Sequence, residues 1–492
     1  MKRIALALAL WPWLLPAQAQ TFADQFESTI APQFPLVGGQ FQLPPSPTTT
    51  QWQWLQGELQ AGQTTTAAEV NAHFDPAWLA TNPVQQTIAF IDSVRTSYPN
   101  ARITDLVAHT PNRMTAVIDS PGSPPPSGYL VFGTRYAGTG LIVQFGVSSF
   151  GGSVMYPVDT TLTLAQAADK FMTLSSAPAL LVGRIGANGQ CTAIVDRSAA
   201  VPRATASIFK TWVLGGAARA IVDGNLSATD TVPLVASELA PGGTINNEPL
   251  NTPFPVADLA TLMMGISDNT ATDLLHERVG RSVINNFVAA SGVADPNLLT
   301  PLLGISEQFH LFYSFDLPTS LSYVNGSEAF QNNFLTTQIV PLGPSNGGPY
   351  FHVSLLTDGS WRASPFDIWA AFAALRRSPG GSEAFKVVDR AMGAGVAQPN
   401  VRGQWDRAWY KGGSLSSGGA GFNVLTHAWF LEDAERDHIL RALDQAGWVV
   451  GGAGGAAARL GLKRTSLVST MRRLGIVRPK PQTAANRDLR AR

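Results

Sequence analysis

The sequence is poor in cysteine and in charge. Cys191 is the single cysteine among 492 residues, so no internal disulfide is possible and packing must supply the stability. Charged residues make up only 14% of the chain, and 34 basic residues balance 34 acidic ones. This balance gives the chain no overall field that would steer it to nucleic acid or to a membrane.

The length and the apolar content predict several folded domains. A chain of 492 residues is too long for one hydrophobic core, and about two to four domains are expected. Apolar residues make up 45% of the chain, and 46 glycines and 34 prolines accompany them. This composition is typical of a globular protein with many loops.

The first 19 residues have the features of a secretory signal peptide. Lys2 and Arg3 precede an apolar run over residues 4–15, and residues 17–19 (Ala-Gln-Ala) offer the small-x-small site at which a signal peptidase cleaves. The apolar run is too short to span a bilayer. We therefore expect residues 1–19 to be removed and the mature protein to be periplasmic or secreted, with no membrane span. A buried N-terminal helix is the alternative.

A small α+β domain is predicted over residues 65–160. Residues 20–64 before it are rich in Pro and Gln, lack sustained periodicity and predict a linker. From residue 65, apolar residues recur at helical intervals. Four segments rich in β-formers follow, separated by Pro/Gly/Ser turns, at 103–107, 114–118, 129–134 and 141–147. This pattern predicts helices on one face of an antiparallel sheet.

A two-lobed α/β domain is predicted over residues 176–431. A hairpin opens it at residues 179–195, and several segments with helical periodicity follow. Residues 292–360 are punctuated by proline and glycine, which predicts a long stretch without helical periodicity. Strand pairs at both ends, with helices between them, indicate a sheet built from distant chain segments beside a helical lobe.

Ser207 and Lys210 form the first of three short motifs with chemical meaning. Ser207 opens an apolar helix, whose positive N-terminal end stabilises developing negative charge. Lys210 lies one turn later and can accept the serine proton if burial lowers the pKa of its amine. Ser207 is therefore a candidate nucleophile and Lys210 its base. The alternative is an N-cap serine followed by a surface lysine.

The second motif, Ser267-Asp268-Asn269, falls in a predicted loop. Ser267 is suited to pass a proton to a leaving nitrogen, and Asn269 to hold a substrate amide. Asp268 is expected to be structural and to hydrogen-bond within its own loop.

The third motif begins at Lys411, at the end of an aromatic strand. Lys411 would meet a substrate carboxylate. Gly412 and Gly413 have no side chains, so substrate backbone can lie against them. The backbone N–H groups of Ser207 and Ser414 would together form an oxyanion hole.

The three motifs, in this order and at this spacing, resemble those of the serine β-lactamase and penicillin-binding family, closest to class A, over about residues 176–431. The resemblance implies an acylated nucleophile at Ser207, a proton acceptor at Lys210, a second wall formed by Ser267 and Asn269, and a carboxylate anchor at Lys411. The preceding α+β segment and the stretches at residues 300–303 and 411–417 resemble more particularly the β-lactamase-like proteins of clavulanate clusters and their lipoprotein relatives. In those, a domain similar to ketosteroid isomerase precedes the hydrolase.

Two departures from the family pattern bear on activity. Class A enzymes carry a Glu-x-x-Leu-Asn loop whose Glu activates the water that clears the acyl-enzyme, and no such run occurs here. Glu307 and Glu328 lie in the right interval without that context, and neither is assigned the role. Gly412 stands where Thr or Ser is usual, which removes a hydroxyl that would contact the substrate carboxylate.

We expect a small β-lactam or acyl substrate, no metal and no cofactor.

Residues 432–480 resemble the Fis-type helix-turn-helix of enhancer-binding transcriptional activators. Residues 451–492 contain ten basic residues and one acidic residue, and residues 481–492 predict a basic disordered tail. A small-residue helix, a glycine turn and a second helix follow one another, as in a module that reads the major groove. The expected DNA contacts are Lys463, Arg464, Thr465, Ser466 and Arg472. The alternative is a basic helix pair that closes the hydrolase.

A signal peptide and a DNA-binding tail contradict each other, because an exported protein meets no genome. In the resembled fold, a further strand follows residue 431 inside the sheet, so its loss would leave backbone groups unpaired. We hypothesise a recent fusion or a gene-model junction near residues 431–433, which leaves the hydrolase domain incomplete. The sequence favours an exported serine hydrolase of the β-lactamase or penicillin-binding type with weak deacylation. A D-alanyl-D-alanine peptidase, an esterase and a DNA-binding regulator are the alternatives.

Overall fold

The computed structural model describes residues 34–37, 40–122, 127–149, 161–185, 190–418, 421–432, 434–460, 462–473 and 476–478. The described residues fall into two compact units, which divide between Leu431 and Glu432. The first unit contains a small domain (residues 34–149) and a large domain (residues 161–431). The predicted signal peptide and the predicted tail at 481–492 lie outside the described residues.

The small domain packs four helices on a four-stranded antiparallel sheet, as the sequence predicts. Its elements are β1 Leu36–Val37, β2 Gln40–Phe41, α1 Pro47–Glu58, α2 Ala67–His73, α3 Pro76–Thr81, α4 Val84–Ser97, β3 Arg102–Thr110, β4 Arg113–Asp119, β5 Gly128–Thr134 and β6 Ile142–Ser149. The strand order is β3-β4-β5-β6, and Met114 of β4 pairs with His109 and with Phe132. Alternate residues of the central strands are buried against the helices.

Helix α1 corrects the prediction of a linker over residues 20–64. The Ser46 side chain accepts a hydrogen bond from the backbone of Thr49, and Pro47 occupies the first turn, which is a strong helix start. Trp52 and Leu55 are buried in the core of the small domain. The helix was hidden in the sequence because its few apolar residues lie among Gln and Thr.

The large domain is mainly helical. Its helices are α5 Leu164–Phe171, α6 Lys210–Val222, α7 Val256–Gly265, α8 Asn269–Val279, α9 Arg281–Ala290, α10 Ile305–Tyr313, α11 Leu317–Val324, α12 Glu328–Phe334, α13 Leu355–Asp358, α14 Pro365–Arg376 and α15 Glu383–Met392. Helix α6 is almost wholly buried at the centre of the main core. Helices surround it, and the residues directly before α6, Ile208 and Phe209, are buried in the same core.

Residues 292–360 are not a structureless stretch, because α10, α11, α12 and α13 lie within them. These helices have only four to nine residues each, and Gly, Ser or Asp caps them at the start. Helices this short show no sustained apolar period. The proline and glycine residues between them are therefore the main signal that the sequence offers.

The strands of the large domain form four separate pairs. They are β7 Leu180–Ile185 with β8 Cys191–Arg197, β9 Arg203–Ala204 with β12 Arg362–Ala363, β10 Thr231–Pro233 with β11 Pro253–Pro255, and β13 Arg407–Leu415 with β14 Val424–Glu432. The prediction of one sheet from distant segments is thus not met among the described strands, since β7–β8 and β13–β14 share no ladder. Apolar side chains on both hairpins remain exposed, including Ile194, Leu425 and Trp429.

Backbone hydrogen bonds join the small domain to the large domain. The His109 N–H donates to the Ala394 carbonyl at 2.7 Å, and the Val396 N–H donates to the Val107 carbonyl at 2.9 Å. At a second place, the buried Glu248 carboxylate accepts from the backbone N–H groups of residues 136 and 137 at 2.8 and 3.1 Å. These contacts fix the small domain against the helices of the large domain.

The second unit has a small apolar core of its own. Its helices are α16 Ala434–Gln445, α17 Ala456–Arg459 and α18 Arg464–Arg473. Leu443, Ala456 and Leu467 are buried together in this core. Among the residues that the structure describes, no helix is both long enough and apolar enough to cross a membrane.

Candidate active site

Ser207 lies on a tight turn that leads into α6. Residues Ala206–Phe209 form a 3-10 turn, and α6 begins directly at Lys210. Ala206 is fully buried and has a φ of 44°, a backbone conformation that residues other than glycine rarely adopt. The surrounding packing therefore holds the turn before Ser207 in an unfavourable conformation, a feature that recurs at functional sites. Ser207 itself is half-buried.

Lys210 is completely buried, and its hydrogen bonds to described residues all go to neutral oxygen atoms. Its Nζ donates to the Ser267 carbonyl at 2.7 Å, to the Ser267 Oγ at 3.1 Å and to the Asn269 Oδ1 at 2.7 Å. Burial lowers the pKa of Lys210 to about 7, although the carboxylates of Asp268 and Asp273 oppose this shift. Near neutral pH the amine is therefore partly unprotonated and able to accept a proton.

The Ser267 hydroxyl lies between two lysines. The Lys411 Nζ donates to the Ser267 Oγ at 3.0 Å, and the Lys210 Nζ reaches the same oxygen from α6. Ser267 has a φ of 59°, so it is a second residue in the left-handed region at this site. The strained loop directs this hydroxyl to the two ammonium groups.

Lys411 is supplied by strand β13 and is almost fully buried. Its Nζ also donates to the Gly412 carbonyl at 2.6 Å. Burial, and then repulsion by Lys210, hold the pKa of Lys411 well below its usual range. Within the described part of the chain, neither lysine forms an ion pair with a carboxylate.

Asp268 and Asn269 hold the loop that carries Ser267. Asp268 caps α8 by accepting from the Ala271 N–H at 2.8 Å, and its other oxygen accepts from the Thr244 N–H at 2.6 Å. Asn269 accepts from Lys210 and donates to the Pro241 carbonyl at 2.5 Å. Asp268 thus bonds to a second loop as well as to its own, while Asn269 keeps one amide N–H for another partner.

Glycine at position 413 allows β13 to pass against the Ser207 turn. A Cβ added to Gly413 would lie 2.6 Å from the Ser207 backbone nitrogen and 2.6 Å from the Thr205 carbonyl oxygen. The Thr426 hydroxyl lies between the same two segments, 2.9 Å from the Thr205 carbonyl and 3.2 Å from the Gly413 carbonyl. Ser414 follows in the strand and is exposed. Any larger residue at 413 would push the strand away from the turn.

The structure therefore brings residues of all three motifs together. Direct hydrogen bonds join Lys210, Ser267, Asn269 and Lys411, and Gly413 lies beside the backbone of Ser207. The Ser207 hydroxyl makes no hydrogen bond to any described residue. In structures without substrate, the hydrogen bonds of a catalytic group are often long or poorly aligned. The roles of Ser207 as nucleophile and of Lys210 as its base therefore stay predictions.

The two glutamates that were considered for activation of the deacylating water, Glu307 and Glu328, have other surroundings in the structure. Glu307 accepts from the Gly304 N–H at 2.7 Å and pairs with Arg281 at 2.5 Å, so its carboxylate caps and anchors α10. Glu328 lies at the start of α12 and is exposed. Neither carboxylate contacts the residues of the three motifs.

Asp273 is a residue that the sequence did not single out. It is buried on α8 and accepts from the backbone N–H of Ser306 at 2.9 Å and from that of Ile305. Burial raises its pKa to about 7. The one available signal was its position four residues after Asn269, which places both on the same helix face.

The expected DNA contacts belong to the second unit. Lys463, Arg464, Thr465, Ser466 and Arg472 are all exposed at or near α18. Among the described residues, no three His, Cys, Asp or Glu side chains are grouped so that they could hold a metal ion.

Residues 188–328 match the model of the Beta-lactamase enzyme family. The match includes Ser207, Lys210, Ser267 and Asn269, and it ends before Lys411. This region of the chain is therefore similar in sequence to that family. No curated protein matches the sequence.

Several solved structures overlap with part of the chain. They include a β-lactamase from Chitinophaga pinensis, with 13% identity, 54% of this chain and 84% of that chain covered, and a TM-score of 0.35. They also include PenP from Rhodopseudomonas palustris, a candidate class A β-lactamase, with 15% identity, 55% of this chain and 85% of that chain covered, and a TM-score of 0.36. Overlaps of this size support no conclusion about activity.

Proposed function

We propose that the protein is a serine hydrolase that forms an acyl-enzyme on Ser207 with β-lactams or related acyl amides and esters. One observation carries the proposal: a single hydroxyl, that of Ser267, bonds to two buried lysines, and one of them lies one turn after Ser207. Neither lysine forms an ion pair with a carboxylate among the described residues, and burying an unpaired charge is costly, which favours a functional role for the two lysines.

The reaction begins when the Ser207 oxygen attacks the substrate carbonyl carbon and its proton passes to the neutral amine of Lys210. The backbone N–H groups of Ser207 and Ser414 stabilise the resulting oxyanion. The C–N bond then breaks as the leaving nitrogen takes a proton from Ser267. The lysines return that proton to Ser267, which restores the hydroxyl.

Release of the acyl group is expected to be slow. Water must attack the ester, and a carboxylate usually activates it. Glu307 is engaged in capping α10 and in its ion pair with Arg281, so it is not free for this task. Acylation should therefore outpace deacylation.

Hydrolysis of nitrocefin and of a p-nitrophenyl ester tests the proposal. Both activities should disappear in Ser207→Ala and persist in Ser322→Ala, which removes an exposed helix hydroxyl. Ester hydrolysis without nitrocefin hydrolysis would favour an esterase, and cleavage of a D-alanyl-D-alanine peptide would favour a peptidase. Equal activity in Ser207→Ala and in the unaltered protein would contradict the proposal.

Export of the protein is part of the proposal and rests on the pattern of residues 1–19. Expression with its own N-terminus in a Gram-negative host should yield periplasmic protein that begins at Gln20. Full-length protein confined to the cytoplasm, with Met1 retained, would contradict it.

A second candidate function is DNA binding by the second unit. The observation that favours it is the exposure of Lys463, Arg464 and Arg472 along one helical segment. Full-length protein should shift duplex DNA in a salt-sensitive way, and Arg464→Ala should weaken the shift. Arg219→Ala, which removes an exposed arginine of the large domain, is the matched control. No salt-sensitive shift by the full-length protein would exclude this function.

A further inference from the structure

The end of helix α7 is in contact with the small domain, two residues before Ser267. Gly265 is the last residue of α7 and has no side chain. A Cβ added there would lie 2.8 Å from the Thr110 Cγ2, at the end of β3, and 2.7 Å from the Ala394 Cβ. Carbon atoms in ordinary contact are about 3.5–4.0 Å apart. Glycine at 265 therefore allows the small domain to pack against the end of α7.

The side chain of Thr110 is held in one orientation. Its hydroxyl donates to the Asn112 Oδ1 at 3.3 Å and accepts from the Arg113 N–H at 3.1 Å. These bonds engage the hydroxyl in the turn between β3 and β4. Thr110 is buried, and its methyl group is the part of the side chain that faces Gly265.

Residues 394–396 form the other side of this contact. Backbone hydrogen bonds of Ala394 and Val396 join this segment to β3. A Cβ added to Gly395 would lie 3.0 Å from the Gly265 carbonyl oxygen. The segment is thus bonded to the small domain and packed against the end of α7.

The last turn of α7 fixes the start of the loop that carries Ser267. The N–H groups of Ile266 and Asp268 both donate to the Leu262 carbonyl, at 3.3 and 3.1 Å. Ser267 lies between these two residues and has a φ of 59°. A displacement of the last turn of α7 would therefore move the Ser267 hydroxyl relative to the two buried lysines.

We propose that Thr110 is a positioning residue of the candidate active site, through which the small domain takes part in acylation. The Thr110 methyl group and Ala394 hold the end of α7, and this contact keeps the Ser267 hydroxyl between the two lysines. The inference rests on the proposed function, in which Ser267 gives a proton to the leaving nitrogen. Misplacing a reacting group by about 1 Å can lower a rate by about a hundredfold.

The test compares two acyl donors that differ in their need for this proton. The nitrogen of benzylpenicillin must be protonated as its C–N bond breaks, whereas p-nitrophenyl acetate releases p-nitrophenolate, which is stable as an anion. The second-order rate of Ser207 acylation is followed by intact mass for both compounds. Ser267→Ala gives the reference pattern, with slow acylation by benzylpenicillin and little change with the ester.

Gly265→Ala places a methyl group against Thr110 and Ala394. It should slow acylation by benzylpenicillin about ten- to hundredfold and change acylation by the ester less than about twofold. Thr110→Ser keeps the hydroxyl and removes the methyl group, so its addition to Gly265→Ala should raise the penicillin rate about threefold or more, as expected for residues in contact. Thr87→Ser removes a methyl group from a buried threonine elsewhere in the small domain and should restore nothing.

An equal fall for both compounds in Gly265→Ala, or an equal recovery with Thr110→Ser and with Thr87→Ser, would overturn the inference and leave the proposed function intact. If Gly265→Ala does not fold, Thr110→Ser alone decides. It should lower the ratio of the penicillin rate to the ester rate about threefold relative to Thr87→Ser, and an unchanged ratio would overturn the inference. No adduct in the unaltered protein with either compound would overturn both.

Discussion

Lys210 is expected to set the pH dependence of acylation. An amine with a pKa of 10.5 would be neutral in only about three molecules in ten thousand at pH 7, whereas a pKa of about 7 leaves about half of it neutral. Burial thus increases the fraction of usable base by about a thousandfold. Because the unprotonated amine accepts the serine proton, the acylation rate should rise about tenfold per pH unit below 7 and level off above it.

The assay is the second-order rate of penicillin acylation between pH 5 and pH 10, followed by intact mass. Lys210→Met should lower the plateau rate by about 10²- to 10⁴-fold, the usual contribution of a general base. Lys386→Met, which removes an exposed lysine from α15, should leave both the plateau and its midpoint unchanged. A rate that keeps rising to pH 10 would refute the reasoning, since it would give Lys210 an ordinary pKa.

Three further substitutions test the geometry. Ser267→Ala should slow acylation by about a hundredfold or more, because the leaving nitrogen loses its proton donor; an unchanged single-turnover rate would contradict this role. Gly413→Ala should reduce stability by about 1–3 kcal/mol in urea unfolding and impair acylation, because the new Cβ meets the Ser207 turn at 2.6 Å. Gly403→Ala has open space around it and should do neither. Glu248→Ala should cost about 1–3 kcal/mol and increase proteolysis between the two domains, because two backbone N–H groups lose their acceptor; unchanged cleavage would contradict that docking role.

The elements of the small domain could be predicted closely from the sequence. The four predicted strands at 103–107, 114–118, 129–134 and 141–147 lie within β3, β4 and β5 or overlap β6. Apolar alternation and the Pro/Gly/Ser turns between the strands are local signals, so they need no knowledge of distant contacts. Helix α1 escaped because its buried residues are few and its polar face dominates the composition.

The residues of the site could be named from the sequence, but their contacts could not. The order of the three motifs identifies Ser267 and Lys411 as candidate site residues. The hydrogen bond between the Lys411 Nζ and the Ser267 Oγ depends on the conformation of the loop, in which Ser267 has a φ of 59°. Gly412 appears in the sequence as a lost hydroxyl, and only the fold shows a neighbouring phenol in that space.

The long-range sheet was the least predictable feature. Helices α8 and α9 are separated at Gly280, which has a φ of 85°. A local glycine signal marks that break, but nothing local tells whether β7–β8 and β13–β14 share a ladder. Pairing of distant strands depends on the whole chain, and the segment after residue 431 forms a separate unit here.

Mass spectrometry of the peptide that contains Ser207 tests the central claim most directly. Protein treated with benzylpenicillin and digested with trypsin yields residues 204–210, which include both Ser207 and Thr205. The account predicts that this peptide gains the mass of one intact penicillin and that fragment ions assign the gain to Ser207. In Lys210→Met the corresponding tryptic peptide runs from residue 204 to Arg219, and the account predicts a greatly reduced adduct on it. A peptide without any adduct, or an adduct on another residue, would contradict the account.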